Sequence, residues 1–397
     1  MLSDVYFPRV NGVSTSIHTF RNQLAQLGHE SWLIAPAYGS DSSGEPGIFR
    51  VPSQRVLFDP EDRRMQLRSI LQDLPQLRRG QFDLIHIQTP FVAHYAGVLL
   101  SRRLGLPRVE TYHTLFEEYL YHYVPFVPKS WMRALARRFS RNQCNNLDAV
   151  VVPSGAVLEV LRTYGVSVPI EIIPTGIELN QLAGGDGAAF RARHGIATGR
   201  PTLVHVGRVA FEKNIDFLLR VLVTVRRRVP DVLLVIAGEG PARQHMRRLA
   251  VRLGIEESVL FVGYQDRKQA LLDCYRAGDV FVFASPTETQ GLVLLEAMAL
   301  GVPVVAPAIM GTKDIVGPGK GALVSALDEA EFTSKVVALL TDQVSREKLG
   351  LEAQDFARNW DARRMAERMA EFYARVRERR PLCAAIAVKA AASGTSD

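Results

Sequence analysis

The sequence predicts an α/β protein made of two doubly wound domains. Short apolar runs recur along the chain, each followed by a polar turn and then an amphipathic helical pattern. That alternation produces a parallel sheet covered by helices on both faces. The length, 397 residues, exceeds what one hydrophobic core ordinarily organises. A glycine-rich interval, with Gly184, Gly185, Gly187, Gly195 and Gly199, separates two such alternating series.

Taken in order, Val5–Ile17 reads as a loop leading into a helix that ends at Gly28, with Ser14 or Thr15 as the expected cap. Asn11-Gly12 is a turn whose glycine permits close approach of a ligand to the backbone. A loop of this kind normally follows a strand, and only Met1–Ser3 precede it. The first strand therefore reads as truncated, or as the end of one that starts further upstream, which weakens the packing expected beneath Gly12. Strands follow at Glu30–Pro36, Phe82–Ile87, Arg108–His113, Asp148–Pro153 and Glu171–Pro174. The second series has strands at Thr202–Val206, Val232–Ala237, Val259–Val262, Asp279–Ala284 and Pro303–Ala306. The expected division is a domain over 1–180, a linker over 181–200, a second domain over 201–355, a helix over 356–380 crossing back to the first domain, and a disordered tail over 381–397. Ligands of such folds bind at the carboxyl ends of the strands.

Composition narrows the class. Forty-seven per cent hydrophobic and 22% charged residues are ordinary for a globular protein. No apolar run reaches the ~18 residues of a spanning helix, and the first residues lack the basic and apolar regions of a signal peptide. Cys144, Cys274 and Cys383 form no CxxC pair, which points to a reducing compartment and away from structural zinc. A net charge of +7 and a pI near 9.4 favour phosphates, nucleic acid or anionic lipid as partners. Nucleic acid is disfavoured, because no aromatic-basic strand or helix-turn-helix pattern is present.

The stretch Ser285–Ala299 is the chemical centre of the sequence. An apolar strand ends at Ala284, a polar turn carries Glu288, Gln290 and Gly291, and a helix begins at Leu292. The amino end of a helix behind a strand is a natural phosphate seat. Glu296 lies inside the apolar run Leu292–Met298, so a solvated helix face explains it poorly and a ligand-binding acid explains it better. In the same half, strand Thr202–Val206 ends in Gly207-Arg208, with Lys213-Asn214 following. Arg208 can grip two oxygens and Lys213 supplies a compact charge, which suits a diphosphate. A surface basic pair balanced by Glu212 is the plain alternative. The first half offers Thr111-Tyr112-His113-Thr114 at a strand's carboxyl end, then Glu117, Glu118, Tyr119, His122 and Tyr123. No Asp-x-Asp pair occurs, so a metal-held donor is not expected.

The Asn11-Gly12 loop, Tyr112-His113-Thr114, Gly207-Arg208 with Glu212-Lys213-Asn214, and Glu288-x7-Glu296 occur in one order across residues 4 to about 310. Together they resemble the retaining glycosyltransferases of the two-Rossmann-domain (GT-B) type, family 4. The resemblance implies two domains facing across a cleft. Arg208 and Lys213 would neutralise the diphosphate of a nucleotide sugar, helped by backbone N–H groups near Gly12, Gly207 and Leu292-Val293 beside Gln290-Gly291. Glu288 would hold a sugar hydroxyl, Glu296 the ribose, and His113 would lie beneath the sugar. The backbone at Tyr264-Gln265 would edge the base. The implied catalytic term is charge stabilisation at the diphosphate, with no cofactor or metal and with UDP-glucose as the favoured donor. Tyr112–Pro125 and Thr287–Gly291 are most similar to diacylglycerol glucosyltransferases and less like phosphatidylinositol mannosyltransferases. A GDP-mannose or other UDP-sugar donor, a phosphatidylinositol, polysaccharide or small-molecule acceptor, and a donor-binding protein impaired by the short amino end remain as alternatives.

Lys129–Arg141 carries five positive charges and no negative one. On a helix Trp131, Leu135 and Phe139 form one row, and Arg133, Arg137 and Arg141 another about 200° away. Such a helix suits an anionic membrane surface, or else packs on the first sheet with its basic face in water. With the family resemblance, the expectation is a cytoplasmic protein held peripherally at the inner face of the membrane.

Overall fold

The computed structural model describes residues 1–39, 46–56, 59–72, 74–115, 129–266 and 269–393. The chain forms two compact units, Met1–Gly176 together with Ala362–Asp397, and Ile177–Asp361.

The first unit holds β1 (Leu33–Pro36), β2 (Ile48–Val51), β3 (Ser53–Val56), β4 (Asp59–Met65), β5 (Ile85–Ile87), β6 (Arg108–Thr111), β7 (Ala149–Val152) and β8 (Ile170–Ile172). β1 pairs with β2, and β5 through β8 pair in sequence order, all in parallel. Leu2 joins the two sets. It forms parallel bridges to both Ile34 and Ile87. Its N–H donates to His86 O at 2.9 Å and its carbonyl accepts from Gln88 N at 2.9 Å. The stretch read as a truncated strand thus lies between β1 and β5, bridged to both through Leu2. The Met1 amino group is buried with it, donates to Trp32 O, and is held down to about 5 by burial and the nearby Arg21.

Three features differ from the sequence reading. The helix after the first loop runs Gly12–Gln26, and Asn11 caps it: the Asn11 side-chain oxygen accepts from Ser14 N at 2.8 Å. Asn11 takes that role because its backbone is extended while Ser14 is already helical and buried. β2 and the antiparallel hairpin β3–β4 are not among the strands expected from the sequence. Arg55, Arg63 and Arg64 lie in that hairpin, and so many charges hide a strand's alternation. The stretch expected as a frayed tail from residue 381 continues the helix Ala362–Ser393, consistent with the high helix propensity of its alanines. Residues 365, 369, 372 and 376 of that helix form one stripe, Met365, Met369, Phe372 and Val376. The stripe is buried against Phe20 and Leu24 of the first helix and Val109 and Val151 of the sheet.

The second unit holds β9 (Thr202–Val206), β10 (Leu233–Ala237), β11 (Val259–Gly263), β12 (Val280–Val282), β13 (Val304–Ala306) and β14 (Ala322–Val324). All are parallel, in the order β11-β10-β9-β12-β13-β14. Side chains alternate between two cores. Val204, Val235 and Phe281 pack on one face with helices 270–276 and 292–299; Leu203, Leu234 and Val280 pack on the other with helices 215–226 and 329–341. The order reverses at β9, so the loops after β9 and β12 open side by side, where ligands of such sheets bind. The interval 181–200 is not a free linker. It forms a helix, Gly187–Arg193, whose Phe190 is fully buried in this unit's core. A Cβ on Gly187 would fall 2.2 Å from Arg276 O, so the glycine there serves close packing rather than flexibility.

Candidate functional site

In the second unit the loops after β9, β10 and β12 interlock at the carboxyl edge of the sheet. Gly207 N donates to Ala237 O at 3.0 Å, and Val209 N donates to Glu239 O at 2.9 Å. A Cβ on Gly238 would lie 1.9 Å from Gly207 O, and Gly238 has φ +142°, so only glycine fits. The pair Gly238 and Gly240 was not singled out in the sequence. Its signal was a glycine doublet directly after an apolar strand.

The loop 207–214 carries Arg208, half-buried, and Lys213. It is tied down at two places: Asn214 donates to Ala284 O at 3.2 Å, and Ser285 Oγ donates to Glu212 O at 3.2 Å. These ties bring Lys213 Nζ to 2.5 Å from Glu288 Oε1, both side chains mostly buried. Burial pushes the Glu288 carboxyl upward, but the Lys213 ammonium and hydrogen bonds from Lys213 and Ser285 outweigh it and hold the group below the usual glutamate range. The result is a charged pair at the switch point of the sheet, rather than the surface pair balanced by Glu212.

Three residues beyond Glu288, Gly291 has φ +99° and opens the helix Leu292–Ala299, whose amino end carries no side-chain cap. Glu288 O accepts from Gly311 N at 2.8 Å, which fixes the turn from outside. The N–H groups of Leu292 and Val293 belong to the uncapped first turn. Gln290 is buried in the same turn. On the helix, Glu296 is 4% exposed and accepts a 2.8 Å hydrogen bond from Tyr275 Oη. Tyr275 was not anticipated, and its place inside an apolar helix, Ala270–Arg276, gives no sign of it. Tyr264 stands exposed after β11, and Gln265 turns its side chain back to Val262 O at 2.8 Å.

In the first unit, a Cβ on Gly12 would meet nothing within 4 Å, so the first turn of helix Gly12–Gln26 has open space above it. His113 follows β6, with its Nε2 3.0 Å from Gln88 Oε1. Burial holds its ring down to about 4. It is therefore a neutral hydrogen-bonding group at pH 7, not a counter-charge. Tyr112 Oη lies 2.8 Å from Ser140 Oγ, which locks the residue beside it. Glu117, Glu118, Tyr119, His122 and Tyr123 lie outside the described residues.

The helix read as basic runs Lys129–Asn145. It packs through Met132, Ala136, Ser140 and Cys144 and leaves Trp131 76% and Leu135 64% exposed among Arg133, Arg137, Arg138 and Arg141. Among the described residues, no helix is long and apolar enough to cross a membrane.

Comparison with known proteins gives this geometry a family. Residues 10–181 match the family model "Glycosyltransferase Family 4" and residues 186–356 match "Glycosyl transferases group 1". The chain is 32% identical to the alpha-monoglucosyldiacylglycerol synthase of Streptococcus pneumoniae, over 90% of this chain and 84% of that protein. It belongs to the GT-B glycosyltransferases. A GDP-mannose-dependent alpha-mannosyltransferase of Mycobacterium tuberculosis is 28% identical over 97% of this chain and 98% of that protein. The fold of this glycosyltransferase is shared with the Anabaena protein HepE, crystallised with UDP and glucose, at a TM-score of 0.77 and 18% identity, covering 94% of this chain and 98% of that one.

Proposed function

We propose that this glycosyltransferase moves a hexose, glucose from UDP-glucose, to a hydroxyl of a membrane lipid such as diacylglycerol, with retention at the anomeric carbon. The observation that carries the reading is the Lys213–Glu288 pair beside the uncapped helix at Leu292. A cation and a helix amino end take the diphosphate, while the paired carboxylate takes a sugar hydroxyl. In the step proposed, the bond from the anomeric carbon to the diphosphate oxygen breaks. The acceptor oxygen bonds to that carbon on the same face, and its proton passes to the departing phosphate oxygen. Arg208, Lys213 and the N–H groups of Leu292 and Val293 stabilise the charge that develops on the diphosphate. Glu296, held by Tyr275, takes the ribose hydroxyls, and the backbone at Tyr264-Gln265 takes the edge of the base. No metal is assigned a part.

Two observations support a lipid acceptor and peripheral attachment to an anionic inner membrane face. The S. pneumoniae relative is named for a diacylglycerol product, and Trp131 and Leu135 project among arginines from a helix that packs through other residues. The similarity to a GDP-mannose-dependent enzyme supports a second reading with a mannose donor. One experiment decides between them: anionic liposomes containing diacylglycerol are incubated with the protein and a panel of radiolabelled nucleotide sugars. Labelled glucosyl-lipid is expected. A labelled soluble product refutes the lipid acceptor, and transfer from GDP-mannose alone refutes the donor.

A further inference from the structure

His205 is the penultimate residue of β9 and is fully buried. Its Nδ1 lies 3.1 Å from Val282 O. A carbonyl oxygen only accepts, so Nδ1 carries the ring proton and Nε2 presents a lone pair. Nε2 is buried and has no hydrogen-bond partner among the described residues. It faces Gly207, where a Cβ would stand 3.7 Å away, at the root of the loop that carries Lys213. Orphaned buried groups are uncommon enough in native proteins to require a reason.

We propose that His205 is a positioning residue for Lys213: its Nε2 receives an N–H of the Lys213 ammonium, directly or through one water, when a sugar hydroxyl engages Glu288. The inference rests on the functional reading above and adds a residue to it. An ammonium has three N–H groups, and Glu288 occupies one. A ligand that draws Glu288 away leaves Lys213 on a flexible stem. A second carboxylate in that place would steady the lysine but cancel its charge. A neutral imidazole steadies it and leaves the full positive charge for the diphosphate. The ring is suited to this, since burial holds it down to about 4 and Lys213 adds to that depression, so it is neutral at pH 7.

The test compares His205→Leu with His205→Gln, which keeps an acceptor at similar reach. UDP affinity is read by calorimetry and turnover with the donor found in the panel. His205→Leu is expected to lower UDP affinity about fivefold and kcat about tenfold. Its melting temperature should change little, because loss of the Nδ1 donor to Val282 O is offset by removal of the orphaned Nε2. His205→Gln should keep both values within twofold of wild type. Wild-type values in His205→Leu, or equal losses in both variants with both folded, overturn the inference. A wild-type protein that transfers no sugar overturns the functional reading instead, and the UDP titrations then decide this inference without turnover.

Discussion

Replacing Lys213 by Met tests the charged pair most directly. The side chain keeps its reach and loses its charge. In the free protein Glu288 is left mostly buried without its counter-charge. Two unit charges at contact distance attract by several kcal/mol at an effective dielectric near 20, and desolvation offsets much of this. A net loss of about 1–3 kcal/mol is expected. The sign with pH follows from the depressed Glu288 group. Its stabilisation is present above the unfolded value near 4.5 and is lost as pH falls through the lower folded value. The stability gap between wild type and Lys213→Met should therefore be widest at neutral pH and narrow as the pH falls below about 4.5. In turnover, loss of one preorganised charge at the leaving group is expected to lower kcat about 10²–10³-fold. Adding Glu288→Gln should recover most of the stability and none of the activity. The assays are thermal unfolding from acid pH, well below 4.5, up to neutral pH, and steady-state transfer to liposomes. A kcat within twofold of wild type, or a stability gap that does not change with pH, would refute the reasoning.

Other perturbations test separate parts of the structure. Tyr275→Phe removes the hydroxyl that donates to buried Glu296; a loss of about 1–2 kcal/mol in stability and weaker nucleotide binding by calorimetry are expected. Gly238→Ala places a methyl against Gly207 O at a positive φ and should cost more than about 2 kcal/mol, read from the melting temperature. Trp131→Ser with Leu135→Ser should abolish sedimentation with anionic liposomes while moving stability by less than about 0.5 kcal/mol, because both side chains are exposed; unchanged sedimentation would remove this helix from the membrane contact. His113 and His205 are held to about 4 by desolvation, so the unfolded chain binds more protons between that value and about 6.5, and stability should fall as pH drops through this window. Asp4, raised to about 6 by burial, opposes the trend; a flat melting temperature from pH 6.5 to 4.5 would contradict the balance.

Much of the fold was written locally in the chain. Thr202–Val206, Val232–Ala237 and Asp279–Ala284 announce themselves as strands because a parallel sheet buried on both faces demands unbroken apolar runs. Gly207, Lys213, Glu288 and Gly291 announce themselves because turns after such strands must carry polar groups and glycine. The hairpin at residues 53–65 stayed hidden, since its strands owe their form to pairing with each other and not to an apolar face. Residues 181–200 misled for a related reason: glycine signals conformational freedom and close packing alike, and only the backbone of Arg276 against Gly187 tells which.

The sequence by itself determined the class of protein, most of its strands and the residue types at the site. Those follow from periodicity and turn chemistry, which act over a few neighbouring residues. The tertiary structure decided that Lys213 faces Glu288 across 75 positions of chain, that Tyr275 holds Glu296, that Leu2 closes the first sheet, and that one nitrogen of His205 is left facing the loop of Lys213. Each is a contact between residues distant in sequence, set by the register of parallel strands and by the glycines that let their loops approach. No local pattern encodes such a distance.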